Sequence, residues 1–238
     1  MNLLARKLGF RALNEKIRKS NEDILIFDCY GERFIGSGAS SKTITINGTP
    51  GNALGAYLDG ATIIVNGNAQ DSVGDTMNNG KIIIHGNAGD ALGYAMRGGK
   101  IFVKGDTGYR TGIHMKEYKD KKPVVVVGGR TGSFLGEYMA GGIIIELGLY
   151  SEDCPVGNFT GTGMHGGQIY IRSSRLPLNL PRQVIVNEAN DSELDEIKEY
   201  LLEFSHVFDF GIDRILSKTF YRLTPNAKNP YKQLYTIN

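Results

Sequence analysis

The sequence predicts an all-β protein, a right-handed, single-stranded parallel β-helix of about seven coils with short helical flanks at both termini. Three observations support this fold class. A glycine recurs every 19 residues through most of the chain, and a column of Leu or Met follows it three residues later. In addition, each 19-residue unit opens with four or five residues that favour β-strands. Self-similarity at one fixed interval is the signature of a repeat architecture.

The recurring glycine defines the register of the repeats. It keeps the 19-residue interval over five units and resumes after insertions of five and then six residues. A Cβ at this column would crowd the units before and after it, so we interpret the column as structural. This structural glycine ladder comprises Gly36, Gly55, Gly74, Gly93, Gly112, Gly136 and Gly161.

The second column is interpreted as an internal ladder of the core. Methionine is unbranched and fills irregular space between small neighbours. A sulfur-lined metal or redox path is the alternative, but it would need thiolates or histidines in the same register, and the sequence has none there. The core ladder comprises Leu58, Met77, Met96, Met115, Met139 and Met164.

The repeats set the expected domain organisation. Residues 24–172 form the β-helix, and its first unit, 24–42, diverges from the others. Nineteen residues cannot hold two helices and two turns, and glycine at this density would break helices, so α-solenoids are excluded. The insertions near residues 116–122 and 150–154 must loop outward. The first is charged and is either a solvated loop or a docking contact.

Both ends of the repeats have flanking segments. Residues 1–23 show apolar positions at near-helical spacing and predict an N-terminal helix. At the other end, residues 173–238 form a helical or extended segment, in which a capping box near Asn190 precedes a helix over 192–204. This segment either caps the repeats or docks on a partner, and the pattern does not separate the two.

Composition places the chain in the cytoplasm without a nucleic-acid or membrane partner. The net charge is +2, and no apolar run approaches the roughly 18–20 residues of a membrane span. Cys29 and Cys154 fall in the first and last units, too far apart for a disulfide, and are expected as free thiols in a reducing compartment. The basic N-terminus lacks a secretory h-region, and we favour an ordinary helix over a transit peptide.

No catalytic, cofactor-binding or metal-binding residue is predicted for this chain. The histidines of the repeats, His85, His114 and His165, occupy three different columns and cannot converge by stacking. The string GNAGDALG resembles a dinucleotide loop but recurs in every unit and returns to strand, unlike a βαβ fingerprint. The outward columns are mixed rather than aromatic, which counts against a carbohydrate-binding groove or an independent enzyme.

The glycine clusters carry a family resemblance over roughly residues 10–172. The stretches GNALGAYLDGA, GDALGYAMRGGKIFVKG and GSFLGEYMAGGIIIELG resemble the C-terminal GXGXG domain of the glutamate synthase large subunit, a parallel β-helix. One component of formylmethanofuran dehydrogenase, its C-type subunit, looks similar at the same motifs.

The resemblance implies a scaffold rather than an enzyme. In glutamate synthase, an amidotransferase domain hydrolyses glutamine, and a barrel domain carrying FMN and an iron–sulfur cluster makes glutamate from 2-oxoglutarate. We therefore expect a non-catalytic subunit of a split glutamate synthase in nitrogen metabolism. Its partners would be the glutaminase and flavin-containing synthase subunits, and homo-oligomerisation is compatible with the sequence. The alternative is a component, similar to the C-type subunit, of a formylmethanofuran dehydrogenase-type complex.

Overall fold

The computed structural model describes residues 1–226 and places eleven strands in one sheet. Helices occur at both ends of this range. The strands are β1 (Asn2–Leu4), β2 (Ile24–Tyr30), β3 (Thr43–Thr49), β4 (Asp59–Asn66), β5 (Asn79–Ile84), β6 (Lys100–Val103), β7 (Val124–Val127), β8 (Ala140–Glu146), β9 (Gly166–Arg172), β10 (Val184–Glu188) and β11 (Phe220–Pro225). The helices are α1 (Ala5–Lys19), α2 (Asp191–Asp195), α3 (Lys198–Phe208) and α4 (Ile212–Leu216).

The prediction of an all-β, single-stranded parallel β-helix is wrong. The strands form one mixed sheet in the order β1-β2-β3-β4-β5-β6-β7-β8-β9-β11-β10. The first nine are parallel neighbours, whereas β11 pairs antiparallel with both β9 and β10. Each repeat contributes one strand to the sheet instead of three, because its glycines and left-handed residues make the remainder a series of turns. Successive turns are linked by isolated β-bridges rather than by continuous strand pairing, such as the bridge between Ala69 and Ala88.

Backbone hydrogen bonds join the turns of successive repeats. The amide of Gly55 donates to the carbonyl of Ile35 at 2.8 Å, and the amide of Gly74 donates to that of Leu54 at the same distance. Side chains at the corners add a second row, in which the Asn68 Oδ1 accepts from the Asn87 amide at 2.8 Å. Buried turns therefore satisfy their backbone groups without forming regular strands.

The ladder glycines have left-handed backbone conformations. Their φ angles lie between 64° and 74° in all seven repeats. A Cβ on Gly112 would lie 2.4 Å from Cδ1 of Ile144, a buried residue of β8. Both the backbone angle and the close approach therefore favour glycine at this column.

The core divides between the two faces of the sheet. On one face, Ile82 and Ile84 point toward the turns, where all six side chains of the Leu/Met column are fully buried. On the other face, Ile83 and Phe102 pack with the C-terminal helices. Because successive side chains of a strand point to opposite faces of the sheet, each strand contributes to both apolar layers.

The C-terminal helices cover the outer face of the sheet. Phe204 of α3 contacts Phe102 edge-to-face at 6.2 Å between ring centroids. Lys81 and Lys100 both form ion pairs with Glu203 of α3, the latter at 2.8 Å. The sequence left open whether this segment caps the repeats or docks on a partner; within residues 173–226 it packs on the chain itself. Residues 227–238 of the predicted segment lie outside the described residues.

A capping box starts α2 at Asn190, as the sequence indicates. The Asn190 side chain accepts from the Glu193 amide at 3.0 Å, and the Glu193 carboxylate accepts from the Asn190 amide at 3.0 Å. Two helices, α2 and α3, then replace the single helix expected over 192–204. In residues 1–226, no helix has both the length and the apolar character needed to cross a membrane.

One carboxyl group interrupts the apolar interior. Glu146 at the end of β8 pairs in register with Val127 and Ile171, which are buried apolar residues. Within residues 1–226, neither of its carboxylate oxygens has a hydrogen-bond partner, and the hydroxyl of Thr131 has none either. Burial raises the pKa of Glu146 well above its usual value, and the nearby Thr131 hydroxyl only partly offsets that rise. Burial therefore favours the protonated, neutral form of this carboxyl group.

Replacing a ladder glycine should lower the free energy of unfolding by more than the strained backbone angle alone would. Gly38 shares the left-handed conformation with a φ of 65°, but a Cβ there meets nothing within 4 Å, so Gly38→Ala is a matched control for Gly112→Ala. We expect about 1–2 kcal/mol of destabilisation for Gly38→Ala. Overpacking against Ile144 should add about 1–3 kcal/mol for Gly112→Ala. Urea unfolding measures both, and equal costs would contradict a steric role for the ladder.

Replacing Glu146 should stabilise the protein at neutral pH and change its pH dependence. Above the ordinary carboxyl pKa, the unfolded chain releases this proton while the folded chain keeps it, so the free energy of unfolding falls as the pH rises. Glu146→Val should remove that slope and add about 1–3 kcal/mol at pH 7. Chemical unfolding from pH 4 to 8 tests this, with the exposed Glu188→Gln as control. An unchanged slope in Glu146→Val would refute the assignment.

Candidate functional site

Two further positions in each repeat adopt the left-handed backbone, and apart from Gly38 and Gly163 they carry side chains larger than glycine. They lie two residues before and two residues after each ladder glycine. Phe134, Phe159, His114 and Tyr138 are examples, with φ between 53° and 66°. Residues other than glycine seldom adopt this conformation, and where they persist they often mark functional sites.

Six of the side chains on these turns form one continuous patch over repeats four to seven. We call it the aromatic surface. Its six members come from four successive repeats and are exposed, apart from Phe134, which is half-buried. The aromatic surface comprises Tyr94, Arg110, His114, Phe134, Tyr138 and Phe159.

Rings in neighbouring repeats stack on one another in two rows. Phe134 and Phe159 lie nearly parallel, with 5.1 Å between their centroids and 21° between their planes. In the second row, His114 and Tyr138 stack at 5.3 Å and 13°. Tyr94 meets His114 edge-on at 5.9 Å. Both rows follow from the repeat, because one column places equivalent side chains directly beside each other.

An ion pair joins the two rows. The Arg110 guanidinium lies 5.2 Å from the Phe134 ring centroid, and its Nε donates to Glu137 Oε2 at 3.0 Å. Glu137 is buried and stands between Phe134 and Tyr138 in the same turn. Arginine held over an aromatic ring and paired with a buried carboxylate is fixed in orientation.

The chemistry of the aromatic surface suits protein recognition. Tyr and Arg are enriched among the residues that dominate binding energy at interfaces, since they offer large rigid areas and polar ends. Half of the Phe159 side chain is exposed (51%), although phenylalanine is normally interior. The exposed rings make this surface a candidate interaction site.

Sequence reasoning missed this surface. It treated the outward columns as mixed because the rings occupy three different positions relative to the ladder glycine. Phe134 and Phe159 lie two residues before it, Tyr94 one residue after, and His114 and Tyr138 two residues after. Each stacked pair lies in one column, so comparing adjacent repeats at that column, instead of judging the whole column, would have revealed the pairs.

His85 and the two cysteines of the repeats lie outside the aromatic surface. His85 packs edge-on against Phe208 at 5.3 Å, where burial lowers the pKa of its imidazole. Cys29 and Cys154 are both free thiols, and burial raises the pKa of Cys29 to about 12. Over residues 1–226, no group of three or more His, Cys, Asp or Glu side chains is arranged to hold a metal ion.

Known proteins resemble this chain in sequence and in fold. An uncharacterised protein of Methanocaldococcus jannaschii, MJ1350, is 44% identical over 247 aligned positions that cover 98% of this chain and 95% of the relative. A chain of the formyltransferase/hydrolase complex FhcABCD from Methylorubrum extorquens, solved with methylofuran, shares the fold with a TM-score of 0.63. That alignment covers 86% of this chain and 73% of the other, at 22% identity.

The repeated glycine motifs also match one family over most of the chain. The match to the GXGXG motif family covers residues 25–226. It includes every repeat and extends through the C-terminal helices to the end of the described residues. The resemblance inferred from the glycine clusters is therefore confirmed, and the chain belongs to the GXGXG motif family.

Proposed function

We propose that the chain is a non-catalytic scaffold subunit of a split glutamate synthase, which holds glutaminase and flavin-containing synthase subunits together. The observation that carries this proposal is the aromatic surface, which is built for protein contact on a chain of the GXGXG motif family. Glutamate synthesis from glutamine and 2-oxoglutarate would then take place on the partners.

The aromatic surface suits a scaffold because it is rigid before a partner binds. Its rings project from turns whose amides bond to neighbouring repeats, as in the 2.9 Å bond from the His114 amide to the Glu137 carbonyl. Stacking and the Arg110–Glu137 ion pair further restrict the side chains. Little conformational entropy is then lost on association, which favours tight binding from a small area.

A second candidate is a component of a formylmethanofuran dehydrogenase-type complex. The observation in its favour is the fold shared with a chain of the FhcABCD formyltransferase/hydrolase complex. Both candidates make the chain one subunit of a larger assembly, and they differ in the enzyme that it would support.

Substitutions in the aromatic surface should release the partners without unfolding the chain. We expect the double variant Phe134→Ala/Tyr138→Ala to lose about 2 kcal/mol or more of binding free energy, which exceeds a tenfold loss in affinity. Tyr30→Ala is the matched control, because Tyr30 is 84% exposed and lies outside the surface. Tagged chains would be purified from the native cell and the bound proteins identified by mass spectrometry.

Their identity distinguishes the candidates. Glutaminase and flavin-containing subunits would support the first candidate, and a molybdenum or tungsten enzyme the second. Equal recovery with both variants would rule out the aromatic surface as the interface. Recovery of the chain alone, with turnover of its own, would refute a scaffold role.

The proposed division of labour also predicts the spectrum of the isolated chain. FMN and the iron–sulfur cluster are assigned to a partner, so the purified chain should show no absorbance in the flavin band. The native complex, recovered through the tag, should show it. Stoichiometric flavin in the isolated chain would contradict the proposal.

A further inference from the structure

A cleft of about 960 Å³ opens between α1 and the first repeat. One wall is the face of α1 that carries Arg11 and Arg18, and the other is the turn Gly36–Lys42, whose sequence is GSGASSK. We call it the N-terminal cleft. It lies at the opposite end of the sheet from β10 and β11, away from the aromatic surface.

Backbone donors of the first repeat face this cleft without acceptors. In later repeats, the ladder glycine and the residue four positions after it donate to the preceding repeat, as Gly55 does to Ile35 and Asp59 to Ala39. The first repeat has no repeat before it. Within residues 1–226, the equivalent amides of Gly36 and Ser40 donate to no protein acceptor. They point toward the space that a preceding repeat would fill.

Several carbonyls beside the cleft already accept hydrogen bonds. The Asn14 side chain donates to the Arg33 carbonyl at 2.9 Å, so an exposed carbonyl of the first repeat is already satisfied. Lys42 Nζ donates to the carbonyls of Ile17, at 3.0 Å, and Ser20 at the end of α1. These carbonyls are therefore not available to the unpaired amides of Gly36 and Ser40.

The charges around the cleft are mostly positive. Arg11, Arg18, Lys19 and Lys42 line it together with a single carboxylate, Glu15. Glu15 pairs with Lys19 at 2.6 Å, whereas Arg11 and Arg18 take part in no ion pair within the part of the chain that the structure describes. Two unpaired guanidinium groups next to unpaired backbone amides form an electropositive concavity.

We propose that the N-terminal cleft binds the phosphate group of a small organic phosphate. A phosphate offers three acceptor oxygens to two guanidinium groups, the Gly36 and Ser40 amides and the Ser40 and Ser41 hydroxyls, whereas a carboxylate offers only two. The volume of the N-terminal cleft exceeds that of one phosphate group. Phe10 and Phe34 also line the cleft and supply apolar contact for an organic body.

Calorimetric titration of the full chain with AMP, inorganic phosphate and adenosine tests this proposal. AMP and phosphate should bind saturably, more weakly at high salt, and adenosine should not bind. Arg11→Gln and Arg18→Gln should each weaken AMP binding about tenfold. The control is Lys119→Gln, which removes a cation from the first insertion and should leave AMP binding unchanged. Thermal unfolding checks that every variant is folded.

Two results would overturn the proposal. One is the absence of saturable binding by both AMP and phosphate. The other is equal weakening by Lys119→Gln and the arginine variants, which would indicate attraction to net charge alone. Protection of the Gly36 and Ser40 amides from hydrogen exchange only in the native complex, without phosphate binding, would assign the cleft to a partner segment instead. The substituted residues, Arg11, Arg18 and Lys119, lie outside the aromatic surface. Failure of the phosphate-binding proposal would therefore leave the proposed function untouched.

Discussion

The hydrogen bond from each ladder glycine after Gly36 to the preceding repeat is the contact on which the rest of the structure depends. The amides of Gly112 and Gly161 donate to the carbonyls of Leu92 and Leu135, both at 2.7 Å. Such bonds require the turns to approach closely with a left-handed backbone, and glycine allows both. Because the bond recurs in each later repeat, an insertion must loop outward rather than shift the register, as in the segment after Met115.

Exact register gives the inner and outer sides of the turns different roles. On the inner side it stacks the Leu/Met column into a fully buried ladder. On the outer side the same spacing brings rings such as His114 and Tyr138 within stacking distance. The aromatic surface therefore needs no separate scaffold. Its geometry follows from the fold, whereas the aromatic residue types at these positions are particular to the later repeats.

Features that depend on periodicity could be predicted from the sequence, and features that depend on long-range packing could not. The glycine register led to the family, and apolar runs such as Val124–Val127 marked the strands. The β-helix prediction was wrong because glycine corners were read as links between strands, whereas the chain forms turns there. The antiparallel pairing of β11 with β9 spans residues far apart in sequence. The aromatic surface was missed because each of its columns is aromatic only in some repeats, and the cleft because unpaired amides have no sequence signature.

The two ends of the sheet differ in how their edges are covered, which accounts for the cleft at the N-terminal end. At the C-terminal end, β11 pairs with β9, and the buried Arg172 guanidinium donates to the carbonyls of Ile215 and Leu147. Polar groups there are satisfied within the chain. At the N-terminal end, β1 covers only the strand of the first repeat and α1 covers part of its turns. The edge strand β1 is only three residues long, which makes it a poor template for strand addition. The turn amides remain open, and the cations beside them favour a small anion over another backbone.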